Sequence, residues 1–275
     1  MSKRSTLGGS AHADRVFRVQ RAFTEVEGQM HGPGELAEAT GLDDSTVHRI
    51  LQSGVYDGIF AREGHGLYRL GAGAARLGLK SLAHAPNARV AHAVLEDLHT
   101  ATDGGLAFLF ALAPFGGAGK QCLDMAVGAS DLSELGVSPR ALVELCRSLR
   151  TGAAGRAILA FLPKVIQDGV LAEPVPDGAG PGAFRDDARL LASLESVRKE
   201  GLALDVEEWA EGWVGCAAPV RWDGLIMGSV AVLKPGHDMS ACSVSAVRAV
   251  RRAASCFTPG DDDHGPWSEE APGSY

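Results

Sequence analysis

The chain has 275 residues, 45% of them hydrophobic and 22% charged, with a formal net charge of −8. That composition is ordinary for a soluble protein of one large or two modest domains. No apolar run reaches the roughly 18 residues of a membrane span, and the opening "MSKRSTLGGSAHADR" lacks the apolar core of a signal peptide, so a cytoplasmic protein with no membrane partner is expected.

The charge is unevenly spread. Residues 1–80 hold ten Lys/Arg against nine Asp/Glu, and residues 81–275 hold sixteen against twenty-five. So acidic a chain is no general nucleic-acid binder, but its near-neutral N-terminal part can engage duplex DNA if the cations cluster.

Residues 14–70 fit three helices and a hairpin. In "DRVFRVQRAFTEVEG", Val16, Val19, Ala22, Phe23 and Val26 recur at helical spacing. "PGELAEAT" carries Pro33 near its start, a usual place for proline, and Gly41 ends it. Asp43 can cap the next helix, "GLDDSTVHRIL", and Val47, Ile50 and Leu51 then share its inner side. At about 100° per residue, Ser45, His48, Arg49 and Gln52 point outward, with Thr46 on the flank. "GIFAREGHGLYRLG" reads as two short strands around Gly64-His65-Gly66.

A small residue at Ala37, Gly41 four residues on, and Val47 and Ile50 returning to one core is the helix-turn-helix spacing, and the hairpin at 59–70 adds a wing. The second helix would enter the major groove. Arg49 suits a bidentate contact to guanine and Gln52 one to adenine. Ser45, Thr46 and His48 suit phosphate or base edges, and Arg62, Tyr68 and Arg69 on the wing the neighbouring backbone. Asp43 and Asp44 stand where phosphate would approach. This leaves open a ligand-sensing or protein-interaction module with weakened DNA binding.

Glycines 71, 73 and 78 break the pattern. "NARVAHAVLEDLHTAT" is amphipathic and reads as a connecting helix. "LAFLFALAP" and "GKQCLDMAVG" read as one hairpin, and "GCAAPVRW-DG-LIMGSVAVLKP" as a second with Asp223-Gly224 at its tip. Between them, "PRALVELCRSLR", "AAGRAILAFLP" and "DDARLLASLESVRKEG" are helical, residues 163–183 are a Pro/Gly-rich loop, and residues 240–257 form a closing helix. The tail from 258 is acidic, Pro/Gly-rich and expected to be disordered. Sheet flanked by helices is an α+β pattern.

These pieces, in this order, resemble the IclR family of bacterial transcriptional regulators over about residues 14–257. The N-terminal likeness lies in "ELAEATGLDDSTVHRIL", "YDGIF" and "YRLG". The C-terminal likeness lies in "TGAAGRAILAFLP", "VRKEGLALDVEEWAEG" and "CAAPVRWDGLIMGSVAV". The resemblance implies an α+β protein with a winged helix-turn-helix at 14–71, a linker and connecting helix at 72–102, a GAF-like effector-binding domain at 103–257 and the tail at 258–275. It also implies a homodimer or dimer of dimers on a palindromic operator in double-stranded DNA, more commonly a repressor, with operator affinity set by a small-molecule effector.

By the same resemblance, the effector pocket is lined by Ala153, Ala154, Asp205, Gly215, Ala231 and Leu233. Here the chain departs from the family pattern. Gly215 stands where cysteine is common, with Cys216 one place later and therefore facing the other way. Ala231 and Leu233 replace alternating serines, and Arg156 replaces a lysine. A pocket so short of hydroxyls suits an effector larger or more apolar than a small keto acid, or none.

No enzyme and no cofactor is expected. Glu207 and Glu208 are adjacent, so they do not converge as an acid/base pair and read as solvated or capping. "TGAAGRA" lacks the ending of a phosphate-binding loop, and "GGLAFLF" is no nucleophile elbow. Cysteines 122, 146, 216, 242 and 256 form no metal or redox motif and read as buried thiols. His31, His84, His92, His99 and His237 are isolated and read as surface or hydrogen-bonded, with no metal.

Overall fold

In the computed structural model, residues 10–26, 28–82, 88–113, 118–128, 147–236 and 242–258 are described. Their contacts divide the chain into two units, Met1–Ala85 and Pro86–Tyr275.

The N-terminal unit begins with α1 (Ala11–Glu25), α2 (Pro33–Thr40) and α3 (Asp44–Tyr56). Pro33 opens α2, where its missing N–H is not needed. Gly41 ends α2 at φ 67°, the left-handed conformation that makes the α2–α3 turn tight. Val19, Phe23, Leu36, Val47, Ile50 and Leu51 close one core over the wing. The wing pairs β1 (Phe60–Arg62) with β2 (Tyr68–Leu70) antiparallel, Phe60 facing Leu70. Phe60 stacks on Phe23 at 4.9 Å between centroids. At the wing tip the positive φ falls on His65 and Gly66 rather than on both glycines. Next comes α4 (Ala72–Leu82). Gly73 lies so close to Gly58 that an added Cβ would come within 2.8 Å of its backbone.

His31 is not on the surface. It is 1% exposed, packs edge-on to Phe23 and offers Nδ1 to Glu35 at 3.1 Å. Its backbone exchanges two hydrogen bonds with Tyr68, which ties the α1–α2 connection to the wing.

The C-terminal unit is built on a five-stranded antiparallel sheet in the order β4-β3-β7-β6-β5. Its strands are β3 (Leu106–Ala113), β4 (Gly119–Ala126), β5 (Ala203–Val206), β6 (Trp213–Trp222) and β7 (Leu225–Pro235). Asp223 and Gly224, both at positive φ, turn β6 into β7. Alternation sends Ala107, Leu109, Cys216, Val230 and Val232 to one face. There α5 (Ala88–Ala101) and α9 (Val244–Cys256) cover them. Phe108, Phe110, Ala217, Ala231 and Leu233 go to the other face, under α6 (Gly152–Leu159), α7 (Lys164–Ala172) and α8 (Asp187–Glu200). The unit has three layers, and both sheet faces are buried.

Residues 163–183 are not all loop. Lys164–Ala172 is helical, and its buried Gln167 side chain donates to the carbonyls of Leu159 and Leu162 at the end of the preceding helix. Most of the expected helix at 139–150 and nearly all of the tail from 258 lie outside the described residues, as do Cys146, His84 and His237. His92 and His99 are both hydrogen-bonded, to Asp124 and to the Gly105 carbonyl. Of the four described cysteines only Cys216 is buried; Cys122, Cys242 and Cys256 are partly exposed.

Candidate functional site

Two places carry chemistry, one in each unit. The first is the outer face of α3. Asp43 caps the helix: Oδ1 accepts from the Thr46 N–H at 2.8 Å and from the Ser45 hydroxyl at 2.6 Å, and Oδ2 accepts from the Thr46 hydroxyl at 2.7 Å. These bonds favour the ionised form and hold the Asp43 carboxyl well below the usual carboxylate range. The cap accounts for an aspartate at this position, and its negative charge persists where phosphate would approach. Asp44 remains exposed at the first helical position.

Ser45, His48, Arg49 and Gln52 are exposed along one side of α3. Arg49 lies back along the helix, with Nε donating to the Ser45 carbonyl at 3.3 Å and Nη2 to the Thr46 hydroxyl at 3.4 Å. It also borders a cleft with His12 and Arg15 of α1, so α1 brings a second arginine beside α3 that spacing alone did not single out. On the wing, Arg62 and Arg69 are exposed, and Arg69 pairs with Glu63 at 2.7 Å.

Two expected DNA contacts are corrected. Tyr68 is 1% exposed and belongs to the core of the unit, because the inner face of β2 needs a large side chain against α1 and α3. Thr46 is also buried, and its hydroxyl and N–H are both committed to Asp43. Neither side chain is placed to meet DNA.

The second place is a pocket between the sheet and the N-terminus of α6. Its cavity volume is about 30 Å³. It gathers Ala153, Ala154, Asp205, Ala231 and Leu233, five of the six residues expected there. Gly215 does not line it: a Cβ at that position would run into Val232 O at 2.3 Å and the Leu233 side chain at 2.6 Å. Sequence reasoning missed Phe108, Phe110 and Lys120 from the first hairpin, Thr151 and Gly152 at the start of α6, and Trp209. The alternation of "LAFLFALAP" was a usable signal for the phenylalanines; Lys120 had none.

The polar end of the pocket is organised by two buried carboxylates. Asp205 Oδ2 accepts from Ala153 N at 3.3 Å, and its Oδ1 accepts from Glu208 N at 2.8 Å. Glu208 Oε2 accepts from Gly152 N at 3.2 Å and from Arg156 Nε at 3.0 Å. Arg156 also donates from Nη2 to Glu208 Oε1 and to the Leu204 carbonyl. The open N–H groups at the start of α6 attract negative charge, and the chain fills that seat itself. Burial pushes the Asp205 carboxyl up. Burial also raises Glu208 to about 7, with Arg156 pulling the other way. The reading of Glu208 as solvated is therefore corrected, since it is 3% exposed and paired with Arg156, while its bond to Gly152 N gives it the capping role. Glu207, at φ 55°, turns the other way and accepts from Gly212 N.

The donors thus leave one polar atom over. Thr151 Oγ1 is buried in the pocket wall and has no hydrogen-bond partner among the described residues.

Two family models match the chain. The IclR helix-turn-helix domain matches residues 12–55, and the bacterial transcriptional regulator IclR C-terminal domain matches residues 141–255. The chain belongs to the IclR family. It is a DNA-binding transcriptional regulator of the IclR type with a C-terminal effector-binding domain. No curated protein matches. Among solved structures, an IclR transcriptional regulator from Silicibacter sp. TM1040 is 24% identical, covering 90% of this chain and 94% of that one, with a TM-score of 0.53. An IclR homologue complexed with 4-hydroxybenzoate from Microbacterium hydrocarbonoxydans is 23% identical over 89% and 96% of the two chains, with a TM-score of 0.50. The IclR of Thermotoga maritima is 20% identical over 88% and 95%, also at 0.50. At these identities the likeness is one of fold. No helix among the described residues is long and apolar enough to cross a membrane.

Proposed function

We propose that this IclR-type regulator is a cytoplasmic repressor that binds a palindromic operator as a homodimer or dimer of dimers. In this reading Arg49 and Gln52 read base edges from the major groove. Ser45, His48, Arg62 and Arg69 fix the register on phosphates. The exposed polar row on α3, opposite the buried Val47, Ile50 and Leu51, carries it. Selecting DNA fragments on the purified protein tests specificity and symmetry together. A palindrome supports the reading, and fragments without a common sequence refute it.

The effector is an aromatic molecule with a hydroxyl or amino donor. Phe108, Phe110, Trp209 and Leu233 supply apolar walls, and Asp205 and Thr151 take the donor. Lys120 in the same wall disfavours a cationic ligand. A compact keto acid is disfavoured because Asp205 and Glu208 already hold the α6 N-terminus. An IclR homologue from Microbacterium hydrocarbonoxydans complexed with 4-hydroxybenzoate supports an aromatic ligand in this reading. Calorimetry with phenol, 4-hydroxybenzoate and pyruvate decides the class. Binding of the aromatics without pyruvate is expected, and tight binding of pyruvate alone overturns it.

A further inference from the structure

The covered face of the sheet holds two thiols that neither the DNA face nor the pocket uses. Cys216 lies on β6, pointing away from the pocket into the layer packed by α5 and α9, and is fully buried. Cys242 stands two residues before α9, packs against the same cluster and is partly exposed. Its Sγ reaches back over the sheet to the carbonyl of Gly215, the residue preceding Cys216, at 2.9 Å. Cys242 thus packs against the cluster that contains Cys216 and bonds to the residue next to it in the strand, which makes the two thiols neighbours on this face of the sheet.

We propose that Cys242 and Cys216 are a hydroperoxide-oxidised thiol pair, with Cys242 the attacking sulfur and Cys216 the resolving one. The two positions divide the chemistry. Cys242 is reachable from solvent, and the hydrogen bond from Cys216 lowers its pKa, which enriches the thiolate. Cys216 is sealed in the core, where that same bond and burial keep it protonated until it is needed.

In the first step the Cys242 thiolate attacks one peroxide oxygen and the O–O bond breaks. This leaves a sulfenic acid on Cys242, and the departing alkoxide takes up the proton that Cys242 had lost. In the second step Cys216 attacks the Cys242 sulfur. The S–S bond forms, the S–O bond breaks, and the hydroxide leaves as water with the Cys216 proton. Two thiols and one hydroperoxide become one disulfide, one alcohol and one water. In a reducing compartment such a bond is transient and is reversed by thiol exchange.

The bond would pin the segment before α9 to β6. Gly215, whose carbonyl takes the Cys242 hydrogen bond, is paired in the sheet with Asp205, whose side chain enters the pocket. Oxidation therefore acts on the strand that holds the pocket's carboxylate.

The full-length reduced protein treated with stoichiometric hydrogen peroxide, quenched by denaturing alkylation, reads this directly. The expected result is the loss of two thiols, a peptide joining residues 216 and 242, and full recovery with dithiothreitol. Cys216→Ala is expected to stop at a sulfenic acid on Cys242, trapped by dimedone. Cys242→Ser, changed at the partly exposed position, is expected to keep all remaining thiols. All thiols surviving in the wild type, or a disulfide that instead joins Cys122, Cys146 or Cys256, overturns the proposal. So does unchanged thiol loss in Cys242→Ser.

Discussion

Arg156 and Glu208 form a two-pronged ion pair beneath the effector pocket, with both side chains about 95% or more removed from solvent. Arg156 also lies over the Phe184 ring at 5.0 Å. Breaking one side leaves the other charge buried and alone. Glu208→Ala is expected to destabilise the C-terminal domain by about 3–5 kcal/mol. The apolar double replacement Arg156→Met with Glu208→Leu should recover most of the loss, because no charge is then left unpaired. Urea denaturation of the three proteins measures this. A Glu208→Ala protein as stable as wild type would remove the pair from the account.

The same glutamate predicts a pH dependence. Its carboxyl stands at about 7 against an ordinary 4.5, because burial outweighs the attraction of Arg156. The folded protein therefore holds more protons than the unfolded chain between those values. That contribution to stability is largest below about pH 4.5 and falls as pH rises toward 7. Carboxyl carbon resonances followed across this range are expected to show one glutamate with a midpoint near neutrality. A full set of midpoints between 4 and 5 would contradict the assignment.

At the other end of the chain, Asp43 has the opposite sign. Three hydrogen bonds favour its ionised form, so its folded value lies below its unfolded one. The stabilisation is present above the ordinary carboxylate range and is lost as pH falls through the folded value. Asp43→Ala leaves both the N–H and the hydroxyl of Thr46 without the side-chain acceptor that caps the helix. A lower melting temperature of the winged domain at pH 7, with the gap to wild type narrowing in strong acid, is expected from circular dichroism.

How far these features could be read beforehand depended on how local their causes are. The inward row Val47, Ile50 and Leu51 follows from helical period, and Asp223-Gly224 follows from the positive φ a two-residue turn demands; both are settled within a few residues. Glu208 was unreadable because its partner is 52 residues away and because a positive φ at Glu207 sends the two neighbours to different sides. Thr46 and Tyr68 looked like surface by residue type. A cap and a core position claimed them, since an amphipathic side chain goes inside when its polar atom or its backbone finds a partner there. Lys164–Ala172 hid in a Pro/Gly-rich stretch whose composition outweighed the four-residue spacing of Ile166 and Val170.

The burial of Tyr68 separates two sets of DNA variants. Arg49→Ala is expected to weaken operator binding by about 10- to 100-fold and to relax the base preference at one position per half-site. Arg69→Ala should weaken operator and random DNA alike and make the salt dependence shallower. Tyr68→Phe, which keeps the core ring, should leave both unchanged. Fluorescence anisotropy over a series of salt concentrations distinguishes the three. A Tyr68→Phe protein that folds normally but loses operator would return that residue to the interface.

Thr151 supplies a test inside the pocket. It sits at the N-cap of α6 but makes no cap bond, since the N–H groups of Gly152 and Ala153 go to Glu208 and Asp205 instead. Its hydroxyl is therefore buried with no partner among the described residues. Thr151→Val keeps the shape and removes that cost, so the ligand-free domain should gain about 1 kcal/mol. The same change deletes a hydrogen bond to the effector's donor or acceptor, so affinity for a hydroxyl-bearing aromatic should fall about 10-fold while affinity for an unsubstituted ring stays level. Thermal shift and calorimetry on the same preparation read the two effects together. A variant that is less stable and binds both ligands as wild type does would mean that the hydroxyl is satisfied within the protein and does not face the ligand.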